Sequence, residues 1–272
     1  MTERSTPSYH NLHSSQALLA AGRRMEARGS STAHTQLIQQ ALAGLPAHGT
    51  FLEVGAATAT MARQVATACP GWKVYASDQH EALLRMGAAW HAEAHGSPSP
   101  VTLFPWDITN PPPPAAPMAD VIASCMMSVW IDPAAMRRAL EHLQSVLRPG
   151  GRLLFLDQDQ HTDSFFCGEP ALTRRILARR GRSFPGVCGP ALAALAEEVG
   201  LQVIKVEPLQ WRADRVDSYV RLLVDRLARS QVANGDIHAD EGARWLEAVD
   251  QADQAGTFRY CITYYALWLG QR

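Results

Sequence analysis

The sequence predicts an α/β fold in which a mostly parallel sheet carries helices on both faces. Three observations predict it. Short apolar segments alternate with segments of helical period at about 25–30 residues per unit, the rhythm of strand–helix–strand repeats. The stretches 120–126 and 152–157 are apolar almost throughout, as in strands covered on both faces. A run of small residues, Gly55-Ala56-Ala57-Thr58-Ala59, directly follows the first apolar segment and precedes a helix.

The elements follow in order. Ser14 to Arg28 and the run after Ser31 read as two helices, the second ended by Pro46 and Gly49. Strands are expected at 50–54, 72–77 and 101–104, with helices at about 60–68 and 81–95 between them. The tract Pro111 to Pro114 is a stiff connection, because proline can neither continue a helix nor donate to a central strand. Pro133 opens a helix to Leu147. A turn, Arg148-Pro149-Gly150-Gly151, leads into the strand at 152–157. A further helix and strand occupy 191–206, and 258–269 is an aromatic-rich closing strand. Residues 1–49 are read as an N-terminal helical cap segment. Residues 50–272 are read as the main domain, with cap insertions at about 160–190 and 209–256.

Composition narrows the function classes. The chain has 272 residues, a formal net charge of −1, 47% hydrophobic residues and 19% charged ones. That balance argues against disorder and against a chain whose task is to coat nucleic acid or anionic membrane. No stretch reaches the roughly 18 apolar residues of a membrane span. Residues Met1 to Ser15 lack the apolar core of a secretory signal. Five cysteines with no CxxC pair indicate neither a disulfide framework nor a zinc site, so a cytoplasmic setting is the expectation.

In a sheet of this kind, ligands bind beyond the carboxyl ends of the strands. Small residues at 55, 57 and 59 let backbone approach a ligand ahead of a helix N-terminus. Asp78 ends the second strand and is placed to accept both hydroxyls of a ribose, although an acid there also suits a helix cap. Asp107 and Ile108 leave the third strand, where an acid can accept from an exocyclic amine and an aliphatic side chain can lie on a purine face.

Taken together, Glu53-Val54-Gly55-Ala56-Ala57-Thr58-Ala59, Asp78, Trp106-Asp107-Ile108, Ala119-Asp120-Val121-Ile122 and Val146-Leu147-Arg148-Pro149-Gly150-Gly151 through Asp157 resemble class I S-adenosylmethionine-dependent methyltransferases. The resemblance is close over Thr50 to Asp157 and looser through the last two strands. It implies a Rossmann-like seven-stranded sheet with an antiparallel C-terminal strand, and S-adenosyl-L-methionine as cofactor. It further implies that Glu53, Gly55 and Ala57 line the methionine and ribose side. Asp78 takes the ribose hydroxyls with Gln79 beside it, Asp107 and Ile108 hold the adenine, and Ser124 lies by the methionine moiety. Ala57 and Ala59 stand where the family usually has glycine.

Methyl transfer is an in-line displacement that needs alignment and dryness more than a fixed catalytic residue. His161, with Asp159 to orient it, is the candidate base at the exit of the fifth strand. The alternative is that Asp159 caps a turn and His161 is exposed. Met126, Met127 and Trp130 are candidates for an apolar wall. No metal pattern is recognisable around Asp132, Asp157 and Asp159. Arg174, Arg175, Arg179, Arg180 and Arg182 form either a solvated face or a site for a carboxylate or phosphate on the substrate.

The expected activity is methyl transfer to O, N or C of a small-molecule metabolite. The arrangement is similar to bacterial small-molecule methyltransferases of the ubiquinone/menaquinone-type and natural-product tailoring groups. A repurposed cofactor-binding protein such as a cyclase, and an NAD(P)-dependent oxidoreductase, are the rival readings. Oligomeric state stays open.

Overall fold

The computed structural model describes residues 14–178, 180 and 184–272. Among these, seven strands form one sheet: β1 (Gly49–Val54), β2 (Trp72–Asp78), β3 (Thr102–Pro105), β4 (Ala119–Cys125), β5 (Leu147–Phe166), β6 (Leu201–Ala213) and β7 (Arg259–Gln271). Their order is β3-β2-β1-β4-β5-β7-β6. The first five are mutually parallel, and β7 runs antiparallel between β5 and β6. The sheet is therefore Rossmann-like and mostly parallel, with an antiparallel C-terminal strand.

Each face has its own core because side chains alternate along a strand. Phe51 of β1, Val121 and Ala123 of β4, and Leu154 and Leu156 of β5 share one apolar cluster. Leu52, Val54, Ile122, Leu153 and Phe155 belong to the other. On the second face pack α5 (Pro133–Ser145), with Met136, Leu140 and Leu143, and α7 (Gly189–Glu198), with Leu192 and Leu195. Asp132 starts α5 by accepting from the backbone N–H groups of Ala134 and Ala135, both at 3.0 Å, with Pro133 at the first turn.

On the first face lie α2 (Thr32–Ala41) and α3 (Thr60–Ala68), while α1 (Ser15–Gly29) packs against α3 and α4 (Glu81–His95). A bidentate pair from Arg63 to Glu26, at 2.6 and 2.8 Å, fixes α1 to α3. Gly29 sits against Thr60 so closely that a Cβ would come within 2.3 Å of its Oγ1.

Two strands run further than the sequence pattern indicates. β5 continues from Asp157 to Phe166, and β6 from Val206 to Ala213. Both extensions pair with β7, whose length supports them. Residues 160–163 stand between the two paired stretches of β5 and β7 as an irregularity. The segments expected as cap insertions, at about 160–190 and 209–256, thus begin as strand. Above them lie α6 (Pro170–Leu177), α8 (Ser218–Ala233) and α9 (Ala239–Gln254), with Trp211, Trp245, Phe258 and Tyr260 buried among them.

Strand order reverses between β1 and β4, which opens a crevice at their carboxyl ends. Val54 pairs with Ser77, Ser77 with Phe104 and Asp78 with Pro105, so Gly55, Asp78 and Pro105 stand side by side at the edge of the sheet. The loop after β1 touches α4 at Gly87, where a Cβ would lie 2.2 Å from the Thr58 carbonyl oxygen. Gly87→Ala is expected to push α4 off this loop at a cost of about 1–3 kcal/mol. A thermal melt checks this, with a drop of several degrees expected and an unchanged midpoint contradicting the packing described.

Candidate active site

A cavity of about 430 Å³ occupies the crevice. Its sheet-edge side is lined by Gly55, Ala57, Asp78, Gln79 and the turn Trp106-Asp107-Ile108-Thr109. The loop there is left-handed at three positions, Gly55 (φ 62°), Ala57 (φ 51°) and Ala59 (φ 58°). A left-handed alanine costs roughly 1–2 kcal/mol, and the buried carboxyl groups around the loop hold it. Asp78 Oδ2 accepts from Ala57 N–H and Oδ1 from His80 N–H, both at 2.8 Å. Each oxygen keeps a further lone pair for a ligand. Glu53 Oε2 accepts from Ala62 N–H at 2.8 Å.

Asp107 Oδ1 accepts from Thr109 N–H (3.0 Å) and Oγ1–H (2.7 Å), and its Oδ2 accepts from Asn110 (3.0 Å). This fixes the turn that presents Ile108. Gly55 lies directly against Met127: a Cβ there would be 2.7 Å from the sulfur, so only glycine leaves the backbone at that depth.

The middle of the cavity is apolar. Met126 and Met127 line it after β4, followed by Trp130 and Ile131. Phe184 stands edge-on to Trp130 at 4.6 Å. The strap carrying Phe184 crosses at Gly186, whose N–H donates to the Val129 carbonyl (3.0 Å) and which leaves no room for a side chain beside the Ser128 carbonyl. Ser128 Oγ lies 2.8 Å from Asp157 Oδ2 and 2.6 Å from the Val187 carbonyl oxygen. One hydroxyl proton cannot serve both acceptors. Burial pushes the Asp157 carboxyl up to about 7, so a protonated Asp157 can donate to Ser128 while Ser128 donates to Val187.

The far side is polar and cationic. Arg24, Met25 and Arg28 of α1, Tyr219, Leu223 and Arg226 of α8, Gln158 and Gln160 of β5, and Arg180 all face it. Gln160 donates to Gln158 (2.7 Å), Gln158 to the Tyr264 hydroxyl (2.5 Å), and Arg180 Nε to Gln160 Oε1 (2.5 Å).

Residues 52–153 match the family model of a methyltransferase domain. Over this stretch, somewhat more than a third of its length, the chain is similar to methyltransferase domains. Human phenylethanolamine N-methyltransferase is 32% identical over 111 residues, a match spanning 38% of this chain and 38% of that relative. A candidate methyltransferase of Bacillus halodurans C-125 has the same fold, with a TM-score of 0.55 and 14% identity. The match covers 86% of this chain and 97% of that one. Phosphoethanolamine N-methyltransferase 2 of Haemonchus contortus, solved with phosphomonomethylethanolamine and S-adenosylhomocysteine, aligns with a TM-score of 0.54 and 13% identity. There the coverage is 95% of this chain and 58% of that one.

Within the matched segment, Gly55, Ala57, Asp78, Gln79, Asp107 and Ile108 come together along one wall. Glu53 and Ser124 are buried and are not among the lining residues. Glu53 is engaged with α3 instead, and Ser124 Oγ has no hydrogen-bond partner among the described residues.

His161 and Asp159 are not brought to the cavity. Asp159 Oδ1 accepts from the backbone N–H of His161 at 3.0 Å, and His161 is exposed. Alternation along β5 is the reason: Gln158 and Gln160 face inward. Of the arginine patch, Arg174 and Arg175 are exposed, and Arg175 pairs with Glu241 at 2.6 Å. Arg180 turns into the cavity, and Arg179 and Arg182 lie outside the described residues.

The sequence reading missed Arg24, Arg28, Arg226, Gln158 and Gln160 as lining residues. Their signal was available as an arginine set among the apolar positions of α8 (Leu223, Val224, Leu227) and as two glutamines continuing an apolar strand.

Burial raises the Glu53 carboxyl to about 8, against the opposing pull of the Ala62 N–H and Arg63. Folded protein then keeps a proton that the unfolded chain releases near 4.5, so this group's contribution to stability falls as pH rises from about 4.5 to about 8. Glu53→Gln is expected to remove that loss. Denaturant unfolding at pH 5 and pH 8 should show the variant gaining on wild type by roughly 1 kcal/mol or more at the higher pH; a pH-independent difference contradicts it.

Proposed function

We propose that the protein is an S-adenosylmethionine-dependent methyltransferase acting on O, N or C of a small-molecule acceptor. One observation carries the reading. At the point where strand order reverses, a paired carboxylate (Asp78), a glycine-deep loop (Gly55) and an aliphatic shelf (Ile108) line one wall of a single cavity. The matched methyltransferase segment supports it, as does the S-adenosylhomocysteine held by the Haemonchus enzyme of the same fold.

The donor set suits that cofactor. Asp78 retains acceptor capacity for two ribose hydroxyls, Gly55 leaves backbone where a Cβ would strike Met127, and Ile108 with Met127 offers apolar surface. When bound, S-adenosylmethionine supplies an electrophilic methyl group on a sulfonium. The chain's own part is to orient the acceptor and keep water away. Trp130, Ile131, Phe184 and Pro185 close the middle of the cavity, and Met126 and Met127 form the floor between its two ends.

No histidine lines the cavity among the described residues. Burial lifts the Cys125 thiol to about 12, which removes it as a base near neutral pH. We therefore place catalysis in alignment and exclusion of water, with helices α1, α6, α8 and α9 acting as a roof over the cofactor-holding sheet.

Calorimetric titration with S-adenosylhomocysteine and with NAD(P) tests the reading. Binding of the first alone is expected, weakened at least 100-fold in Asp78→Ala; no binding, or an unchanged constant in the variant, contradicts it. In a methyl-transfer screen over small metabolites, any acceptor found should be turned over by His161→Ala within about twofold of wild type. A loss of 100-fold or more would return His161 to the reaction.

A further inference from the structure

The roof side of the cavity is built unlike its sheet-edge side. The acids that line the cavity, Asp78, Asp107 and Asp132, follow the strands β2, β3 and β4, whereas Arg24, Arg28, Arg180 and Arg226 line it from the roof. Arg180 is 6% exposed. Its Nε lies 2.5 Å from Asp163 Oδ2 and 2.5 Å from Gln160 Oε1, and Tyr260 holds the other Asp163 oxygen at 2.6 Å. One edge of the guanidinium is thus anchored from behind. Its Nη1 is buried and has no hydrogen-bond partner among the described residues, and the same holds for Nε of Arg226.

A buried N–H without an acceptor is costly, and more so on a cation. Burial together with Arg24 and Arg180 already draws the Arg226 guanidinium down to about 10, so like charges crowd this end of the cavity. An oxyanion is drawn to such a crowd of cations, because a guanidinium offers paired donors that match carboxylate or phosphate oxygens. Tyr219, another lining residue, adds a phenolic hydroxyl.

We propose that Arg180 and Arg226, with Arg24 and Arg28 beside them, form an anion-recognition subsite that seats a carboxylate or phosphate group of the methyl acceptor. The acceptor role rests on the methyltransferase reading above; the anion site itself does not. Asp163 and Gln160 are positioning residues that aim Arg180. The site differs from the exposed arginines of α6, since Arg174 and Arg175 face outward.

The test is calorimetric titration of the whole chain at low ionic strength, with and without saturating S-adenosylhomocysteine. The probes are benzoate, phenyl phosphate and uncharged benzyl alcohol. At least one anion is expected to bind tenfold or more tightly than benzyl alcohol, the tighter of the two identifying carboxylate or phosphate as the group recognised. Arg226→Gln should weaken that anion at least tenfold and leave S-adenosylhomocysteine binding within twofold, while Arg226→Lys restores part of the loss. Anions binding no tighter than benzyl alcohol overturn the subsite, as does an unchanged anion constant in a folded Arg226→Gln. If that variant does not fold, the wild-type comparison of anion with alcohol decides alone. Anion binding without S-adenosylhomocysteine binding would instead sink the cofactor reading and leave the subsite standing.

Discussion

The carboxylate of Asp78 is the constraint on which the site depends. Parallel pairing of β1 with β2 sets Val54 beside Ser77, so the residues that follow must turn away from the sheet together. Asp78 ties them by accepting from Ala57 on one side and His80 on the other. Backbone at Ala57 and Ala59 is left-handed, a conformation alanine adopts at a cost of roughly 1–2 kcal/mol. Hydrogen bonds to buried carboxyl groups offset that cost, since Glu53 grips the start of α3 while Asp78 grips the loop. Arg63 completes the clamp by donating to the Gly87 carbonyl at 2.8 Å and pairing with Glu26 of α1. The sheet-edge wall and the roof are therefore mechanically connected through one helix turn.

The roof answers a different physical need. A sheet edge of acids and backbone amides suits a nucleoside, but nothing in it selects an acceptor. Selection requires groups on elements free to vary, and here these are α1, α8 and the segment around Arg180. Long strands β5, β6 and β7 make the roof possible by carrying the sheet past the crevice, with Tyr260 packed on Trp211 and Tyr264 beside His34 of α2. The hydrogen-bonded row Arg180–Gln160–Gln158–Tyr264 runs along this extension and transmits the sheet's rigidity to the cationic end.

Much of the sheet was legible in the sequence because its signals are local. The apolar runs of β1, β4 and β5 stand out, and the helix expected over 60–68 is the observed α3. Asp78, Gly55 and Ile108 could be placed because a strand end fixes position whatever the tertiary context. The extension of β5 beyond Asp157 was not legible: Gln158, Gln160 and His161 carry no strand propensity, and only pairing with β7 makes them strand. The same pairing decides that the glutamines, and not His161, face the cavity. Arginines 24, 28, 180 and 226 come from three separate regions, and only folding brings them to one wall. Sequence alone weighed the arginines near 180 as a surface patch or an anion site, and the structure separates outward Arg175 from inward Arg180.

In the proposed function, the wall of Gly55, Asp78 and Ile108 holds the nucleoside end of S-adenosylmethionine while the arginine end receives the acceptor. A crystal structure of the chain with S-adenosylhomocysteine tests it most directly. The expected result is ribose hydroxyls within hydrogen-bond distance of Asp78, the adenine against Ile108, and the homocysteine sulfur facing the space between Trp130 and Arg180. A nucleoside seated among Arg24, Arg180 and Arg226, or Asp78 making no contact with it, would contradict this assignment of the two ends.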